Sequence, residues 1–135
     1  MMAKIKKYKL DATVDSAGFE PFHTGDLPDY RAIKVMSHHG IDISGQRSRL
    51  FRKSDFDSFD RIYVMDKGNY NDVSSMSKNQ QGMQKVDFIL NSLDSGKNLP
   101  VPDPYYGGEA GFENAFRLLD SAIELIALNL KKGEL

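Results

Sequence analysis

Apolar and polar positions change rhythm along the chain, and each change predicts an element. From Gly111 to Lys132, Phe112, Phe116, Leu119, Ile123, Ile126 and Leu130 recur three or four residues apart, the stripe of a long amphipathic helix. In RIYVMD, Arg61 to Asp66, the residues Ile62, Tyr63, Val64 and Met65 form a nearly continuous apolar run. That pattern suits a parallel strand covered on both faces. KVDFIL, Lys85 to Leu90, alternates weakly and reads as a further strand. ATVDSAG, Ala12 to Gly18, has a β-branched start and a Ser-Ala-Gly end, which predicts a short strand running into a tight loop. The stretch GDLPDYRAIKVMSHHG carries helix signals. Asp26 is the expected N-cap, Pro28 fits the first turn, Tyr30, Ile33 and Met36 keep helical spacing, and Gly40 is the stop. SDFDSFD, Ser54 to Asp60, predicts a short helical turn, and the polar NYNDVSSMSKNQ a surface helix and loop.

Strands alternating with helices predict an α/β fold: a parallel sheet with helices on both faces. The 135 residues suit one domain, 1–135, around one core. In such sheets, sites form in the loops beyond the C-terminal ends of the strands. Three loops qualify: Ser16 to Asp26, Asp66 to Asn69, and Pro100 to Gly108. They are expected to converge on one cleft.

Composition narrows the function. Eighteen basic and 19 acidic residues leave a net charge of -1, which argues against a nucleic-acid partner held by bulk charge. The basic cluster KIKKYK, Lys4 to Lys9, reads as a solvated helix face. No apolar run reaches membrane-spanning length and no signal-like layout opens the chain, so no membrane partner and a cytoplasmic location are expected. There is no cysteine. A disulfide framework, a thiolate metal site and a cysteine nucleophile within these residues are thereby excluded. His38 and His39 are adjacent, and adjacent side chains on a helix do not face the same way, so no metal site is expected. Arg31, Arg47, Arg49 and Arg52 read as solvated surface residues rather than as phosphate ligands.

One stretch stands apart. VPDPYYGG, Val101 to Gly108, holds an acidic residue between two prolines, followed by two tyrosines and two glycines. An aspartate in such a loop is by default a turn former. The wider context changes that reading. VDSAG (Val14 to Gly18), PDYRAI (Pro28 to Ile33), HGIDIS (His39 to Ser44), DFDSFDRIYVMDKGN (Asp55 to Asn69) and VPDPYYGG occur in that order. Together they resemble the low-molecular-weight protein tyrosine phosphatases, from about Lys4 to about Leu130.

The resemblance implies hydrolysis of phosphotyrosine or other aryl phosphates, with no cofactor and no metal. In the family, a C-x-x-x-x-x-R loop cradles the phosphate in backbone N–H groups and its arginine. Its cysteine thiolate attacks phosphorus. An aspartate of the DPYY loop protonates the leaving phenolate and then helps water attack the phosphocysteine. Carried over by motif, Asp103 is that general acid and base, held protonated by partial burial. Tyr105 is one wall of the aryl slot with Phe22 opposite, and Tyr106 lies beside the slot. Ser16 matches a serine that supports the phosphate loop, and Asp66 an acidic residue at the cleft rim, although it would equally serve as a helix cap. The implied partner is a phosphotyrosine protein or an aryl phosphate.

The sequence departs from the family in one respect that decides its chemistry. The resemblance begins inside the family's first helix, so the family's central first strand and its C-x-x-x-x-x-R loop have no counterpart, and Gly45 stands where the family has a histidine. The expectation is therefore a chain truncated at its N-terminus relative to the family and inactive by itself. The alternative is a pseudo-phosphatase acting as a binding or regulatory module. The gap left in the sheet is expected to expose strand edges, which recruit a second copy of the chain.

Overall fold

The computed structural model describes residues 1–77 and 79–134, the side chains of Gln80 and Tyr106 excepted. Two parallel strands form its sheet: β1, Ile62–Val64, and β2, Val86–Phe88, in the register Ile62 opposite Val86, Tyr63 opposite Asp87 and Val64 opposite Phe88. The helices are α1 (Met2–Tyr8), α2 (Tyr30–His38), α3 (Asp55–Ser58), α4 (Lys67–Met76), α5 (Gln80–Met83) and α6 (Gly108–Lys132), with 3-10 turns at Pro21–His23, Ile89–Ser92 and Pro104–Tyr106.

Side chains on a strand alternate between faces, and the core divides accordingly. On one face Val64 and Phe88 pack with Phe56 and Val73, flanked by Ile62, Tyr70 and Val86. On the other, Tyr63 lies against Ile89, Leu90, Ala122 and Ile126. Helix α4 thus covers one side and α6 the other, the α/β arrangement with helices on both faces. The apolar stripe of α6 is realised in part: Phe112 and Ile126 are buried together with Ala115, Ala122 and Ala127, while Leu119, Ile123 and Leu130 pack half-buried against the core and Phe116 is half-buried. Helix α1 is tied to α6 by Lys4, whose ammonium lies 3.0 Å from Asp120 and 2.7 Å from Glu124, and by the hydroxyl of Tyr8, which donates to Glu124. No helix among the described residues is long and apolar enough to cross a membrane.

Several boundaries differ from the pattern-based reading. Helix α2 starts later than expected. Its N-cap is Asp29, whose carboxylate accepts from the Arg31 N–H at 2.8 Å. Asp26 instead faces His23 at 3.0 Å, and its N–H donates to Ser48. A carboxylate placed directly after Pro28 is the better cap because it reaches the orphan N–H groups of the first turn. Helix α6 starts earlier, at Gly108. The second strand stops at Phe88 and turns into the 3-10 segment Ile89–Ser92.

The expected strand at Ala12 to Gly18 is corrected. Only Gly18 finds a ladder partner, a single parallel bridge to Leu50. Local β propensity favours extended backbone, but a strand also needs a neighbour, and β-preference largely measures the neighbour's fit. What the segment does have is a tie to residues 48–51. Gly18 N–H donates to Arg49 at 2.9 Å, Phe51 N–H to Gly18 at 2.8 Å, and Gly25 N–H to Ser48 at 2.8 Å. The rings of Phe19, Phe51 and Phe56 continue that tie into the core, at centroid separations of 5.6 and 5.4 Å.

Candidate active site

The acid-bearing loop is built at the C-terminal end of β1. Val101 donates its N–H to the Met65 carbonyl at 2.8 Å, which fixes the loop beside the strand end. Pro104 then opens a 3-10 turn, with its φ preset for the first position. Asp103 is the N-cap: its Oδ1 accepts from the Tyr105 N–H at 2.9 Å. The carboxylate is held by its own turn in a defined register to the tyrosine two residues on. The turn feeds directly into α6, with Gly107 as that helix's N-cap.

Two of the three expected loops meet here. Asp66 lies two residues beyond β1 and caps α4, its Oδ1 accepting from the Asn69 N–H at 2.8 Å. The Val101–Met65 hydrogen bond joins its neighbourhood to the DPYY loop. The third loop, Ser16 to Asp26, is bound to residues 48–51. Ser16 is exposed, and its N–H is turned to the Asp15 carboxylate at 2.8 Å. Phe22 projects from the 3-10 turn Pro21–His23, is 88% exposed and enters no ring pair among the described residues. Tyr106, the remaining expected member, has a side chain outside the described residues. The expected partial burial of Asp103 is corrected: the residue is exposed. Two prolines and a cap constrain the backbone at position 103 without enclosing the side chain.

Sequence reasoning missed Asp29, Arg31 and Phe112. Arg31 was expected to be solvated, yet its guanidinium carbon lies 4.8 Å from the ring centroid of Tyr105 and 4.7 Å from that of Phe112. Its Nη1 donates to the Tyr105 carbonyl at 3.3 Å. Asp29 grips it on the opposite edge, with Nε donating to Oδ1 at 3.1 Å and Nη2 to Oδ2 at 3.0 Å. Arg31 therefore holds the Asp29 carboxyl below the usual carboxylate range through this side-chain pair and the N-cap bond. The signal was available: Arg31 precedes the buried Val35 by four residues, which places it on the packed stripe of α2.

Arg49 was likewise read as a solvated surface residue, and it is half-buried and paired. It joins Asp15, at 2.9 Å from Nε, to Asp55, at 3.0 Å from Nη1. Beside the DPYY loop, Lys34 pairs with Glu109 at 2.6 Å, and His39 meets Glu113 at 2.9 Å while stacking on Phe116 at 4.0 Å. Among the described residues no group of three His, Cys, Asp or Glu side chains is arranged to hold a metal ion.

The parallel sheet covered by helices on both faces is an α/β arrangement, and comparisons with known proteins give its family. The profile of the low molecular weight phosphotyrosine protein phosphatase family matches residues 1–134, and the chain belongs to that family. A putative low molecular weight protein-tyrosine-phosphatase of Synechocystis is 37% identical over 134 residues, covering 98% of this chain and 85% of that protein. The human low molecular weight phosphotyrosine protein phosphatase is 36% identical over 104 residues, covering 77% of this chain and 65% of its own length. A crystal structure of a protein tyrosine phosphatase from Entamoeba histolytica, with Hepes in its active site, superimposes with a TM-score of 0.88 at 34% identity, covering 98% of this chain and 85% of that one.

Proposed function

We propose that this chain carries the acid-bearing, aryl-binding side of a tyrosine phosphatase site whose substrate is a phosphotyrosine protein or another aryl phosphate monoester. The observation that carries this reading is the position of Asp103. Its carboxylate is locked between two prolines, fixed to the Tyr105 N–H and delivered to the end of β1 by the Val101–Met65 bond.

Asp103 is the proton donor to the leaving phenolate oxygen in the first step and the acceptor of a proton from water in the second. An aryl ring seated against Tyr105 would bring the ester oxygen within reach of this carboxyl. Tyr105 and Phe22 flank that ring, and Tyr106 lies beside it. Ser16 stands where the family has a serine that supports the phosphate-binding loop, and Asp66 stands at the rim while capping α4. The reaction takes place in the cytoplasm.

The nucleophile of this chemistry is a cysteine thiolate, and the 135 residues contain no cysteine. The 135-residue chain by itself is therefore inactive in the reaction. That same composition favours a second reading, a pseudo-phosphatase that binds or regulates without turnover. Self-association through the open edge of β1 accompanies either reading.

The test is hydrolysis of p-nitrophenyl phosphate by the purified 135-residue chain. No rate above buffer is expected, and a rate abolished by Asp103→Ala would overturn the inactivity. The aryl-slot assignment is tested by NMR with millimolar benzylphosphonate. Resonances of Tyr105 and Phe22 are expected to shift; unmoved resonances at both would remove the slot. A coding frame that runs upstream of Met1 through a C-x-x-x-x-x-R loop would favour the enzyme over the pseudo-phosphatase.

A further inference from the structure

The DPYY loop is held from outside by a side chain that the family pattern does not assign to the site. The Arg31 guanidinium lies over two aromatic rings, Tyr105 at 4.8 Å and Phe112 at 4.7 Å. Its edges are also occupied: two donors go to the carboxylate of Asp29 and one to the carbonyl of Tyr105. A phosphate ion approaching this guanidinium would have to displace a carboxylate already bound in fork geometry. A phosphate-binding role is therefore the wrong reading of this arginine.

We propose that Arg31, braced by Asp29, is a positioning residue that sets the register of Asp103 and the plane of the Tyr105 ring. The connection runs through three bonds in series. Asp29 fixes the guanidinium to the start of α2, the guanidinium fixes the Tyr105 carbonyl and ring, and the Tyr105 N–H fixes the Asp103 carboxylate. Phe112 closes the stack from the buried face of α6. Movement of α2 relative to α6 would then be felt at the proton donor. What Asp103 and Tyr105 do once positioned rests on the phosphatase reading; the clamp itself does not.

Planarity is the property the arrangement uses. A guanidinium stacks on two rings and still donates in its own plane, whereas an ammonium presents a compact charge that cannot do both. Charge alone therefore does not suffice, and Arg31→Lys should behave as a loss.

The experiment is amide exchange and side-chain NMR on the 135-residue chain. The variants are Arg31→Lys, Arg31→Ala and Asp29→Asn, with Lys34→Ala as a control one residue-pair away. Expected in both Arg31 variants is exchange at least tenfold faster at the Tyr105 and Gly107 N–H groups, with exchange at Val64 and the midpoint of thermal unfolding unchanged. Asp29→Asn should give a smaller increase at the same two groups, and Lys34→Ala none. In the unsubstituted chain the Arg31 Nε–H proton should be shifted by the ring currents of both aromatics, and Tyr105→Leu should reduce that shift. Wild-type exchange in Arg31→Lys would overturn the proposal. So would an increase that is uniform from Val64 to Gly107, since that is the mark of a merely structural role. Benzylphosphonate, added to the unsubstituted chain, separates the two readings. If it leaves Tyr105 unmoved while the exchange pattern is as stated, the aryl-site assignment fails and the clamp stands.

Discussion

Asp55 Oδ2 lies 3.0 Å from Nη1 of Arg49, and the pair ties the start of α3 to the segment that precedes it. Asp55 is only 2% exposed, although it is a carboxylate. Its burial is compensated by the two guanidinium contacts and by the Arg52 N–H at 2.8 Å. Arg49 in turn holds Asp15 and, through its carbonyl, the N–H of Gly18. The loop that carries Ser16 and Phe22 is thus anchored to the start of α3 by one arginine.

Arg49→Ala should therefore be strongly destabilising. Removing one partner of a buried pair leaves the other charge uncompensated, at about 3 kcal/mol. Chemical denaturation should show a lower midpoint of that order, and residues 15–20 should exchange faster than the sheet. A change within about 0.5 kcal/mol, the usual range for a surface substitution, would show that Arg49 is no more than a surface residue.

The same pair makes stability depend on pH. Burial pushes the Asp55 carboxyl up, but the Arg49 guanidinium and the Arg52 N–H outweigh it, and the net direction is down from the ordinary value. A carboxyl whose folded pKa lies below its unfolded value of about 3.9 contributes stability above that value and loses it as pH falls through the folded pKa. Unfolding midpoints should fall as pH drops below about 4. Asp55→Asn should be less stable at neutral pH and should show a flatter profile in that acidic window. An Asn variant with the full acid dependence of the parent would place the titration elsewhere.

Much of this fold was legible because it rests on local pattern. The α6 stripe and the Ile62–Val64 run each name their own buried face. The chain between Ala12 and Gly18 was misread for the opposite reason, since its structure depends on a partner rather than on its own residues. The site divides in the same way. Asp103 and Tyr105 announce themselves through PDPYY, whereas Arg31 and Arg49 look like any surface arginine until Phe112 and Asp55 are brought to them. Contacts between residues 74 or 34 positions apart, as in Arg31–Tyr105 and Arg49–Asp15, leave no mark in a short motif.

Gly111 offers a steric test of the loop's seat. A Cβ at this position would lie 2.9 Å from the Pro104 carbonyl oxygen, a backbone atom that cannot swing away. Alanine normally favours a helix over glycine by about 1 kcal/mol, while overpacking against fixed structure costs about 1–3 kcal/mol. Gly111→Ala should therefore lower the melting midpoint and speed exchange at the Tyr105 N–H. A more stable variant with an unchanged loop would mean that α6 and Pro104 are less tightly joined than the close approach indicates.

The last expectation concerns the sheet's open side. Strand β1 pairs only with β2 among the described residues, so its other edge presents backbone N–H and C=O groups without a ladder. Residues Ala12 to Ala17 belong to no strand or helix, with only the neighbouring Gly18 bridged. Met2 and Val14 add exposed apolar surface, at 65% and 40%. Unpaired strand edges are templates for another chain, and each buried unsatisfied group would otherwise cost about 1–3 kcal/mol. The 135-residue chain should accordingly self-associate, with a mass by light scattering that rises with protein concentration and falls in dilute denaturant before the helices melt. A monomer at every concentration with a single cooperative melt would show that two strands and two helical layers are enough, and that the edge of β1 recruits nothing.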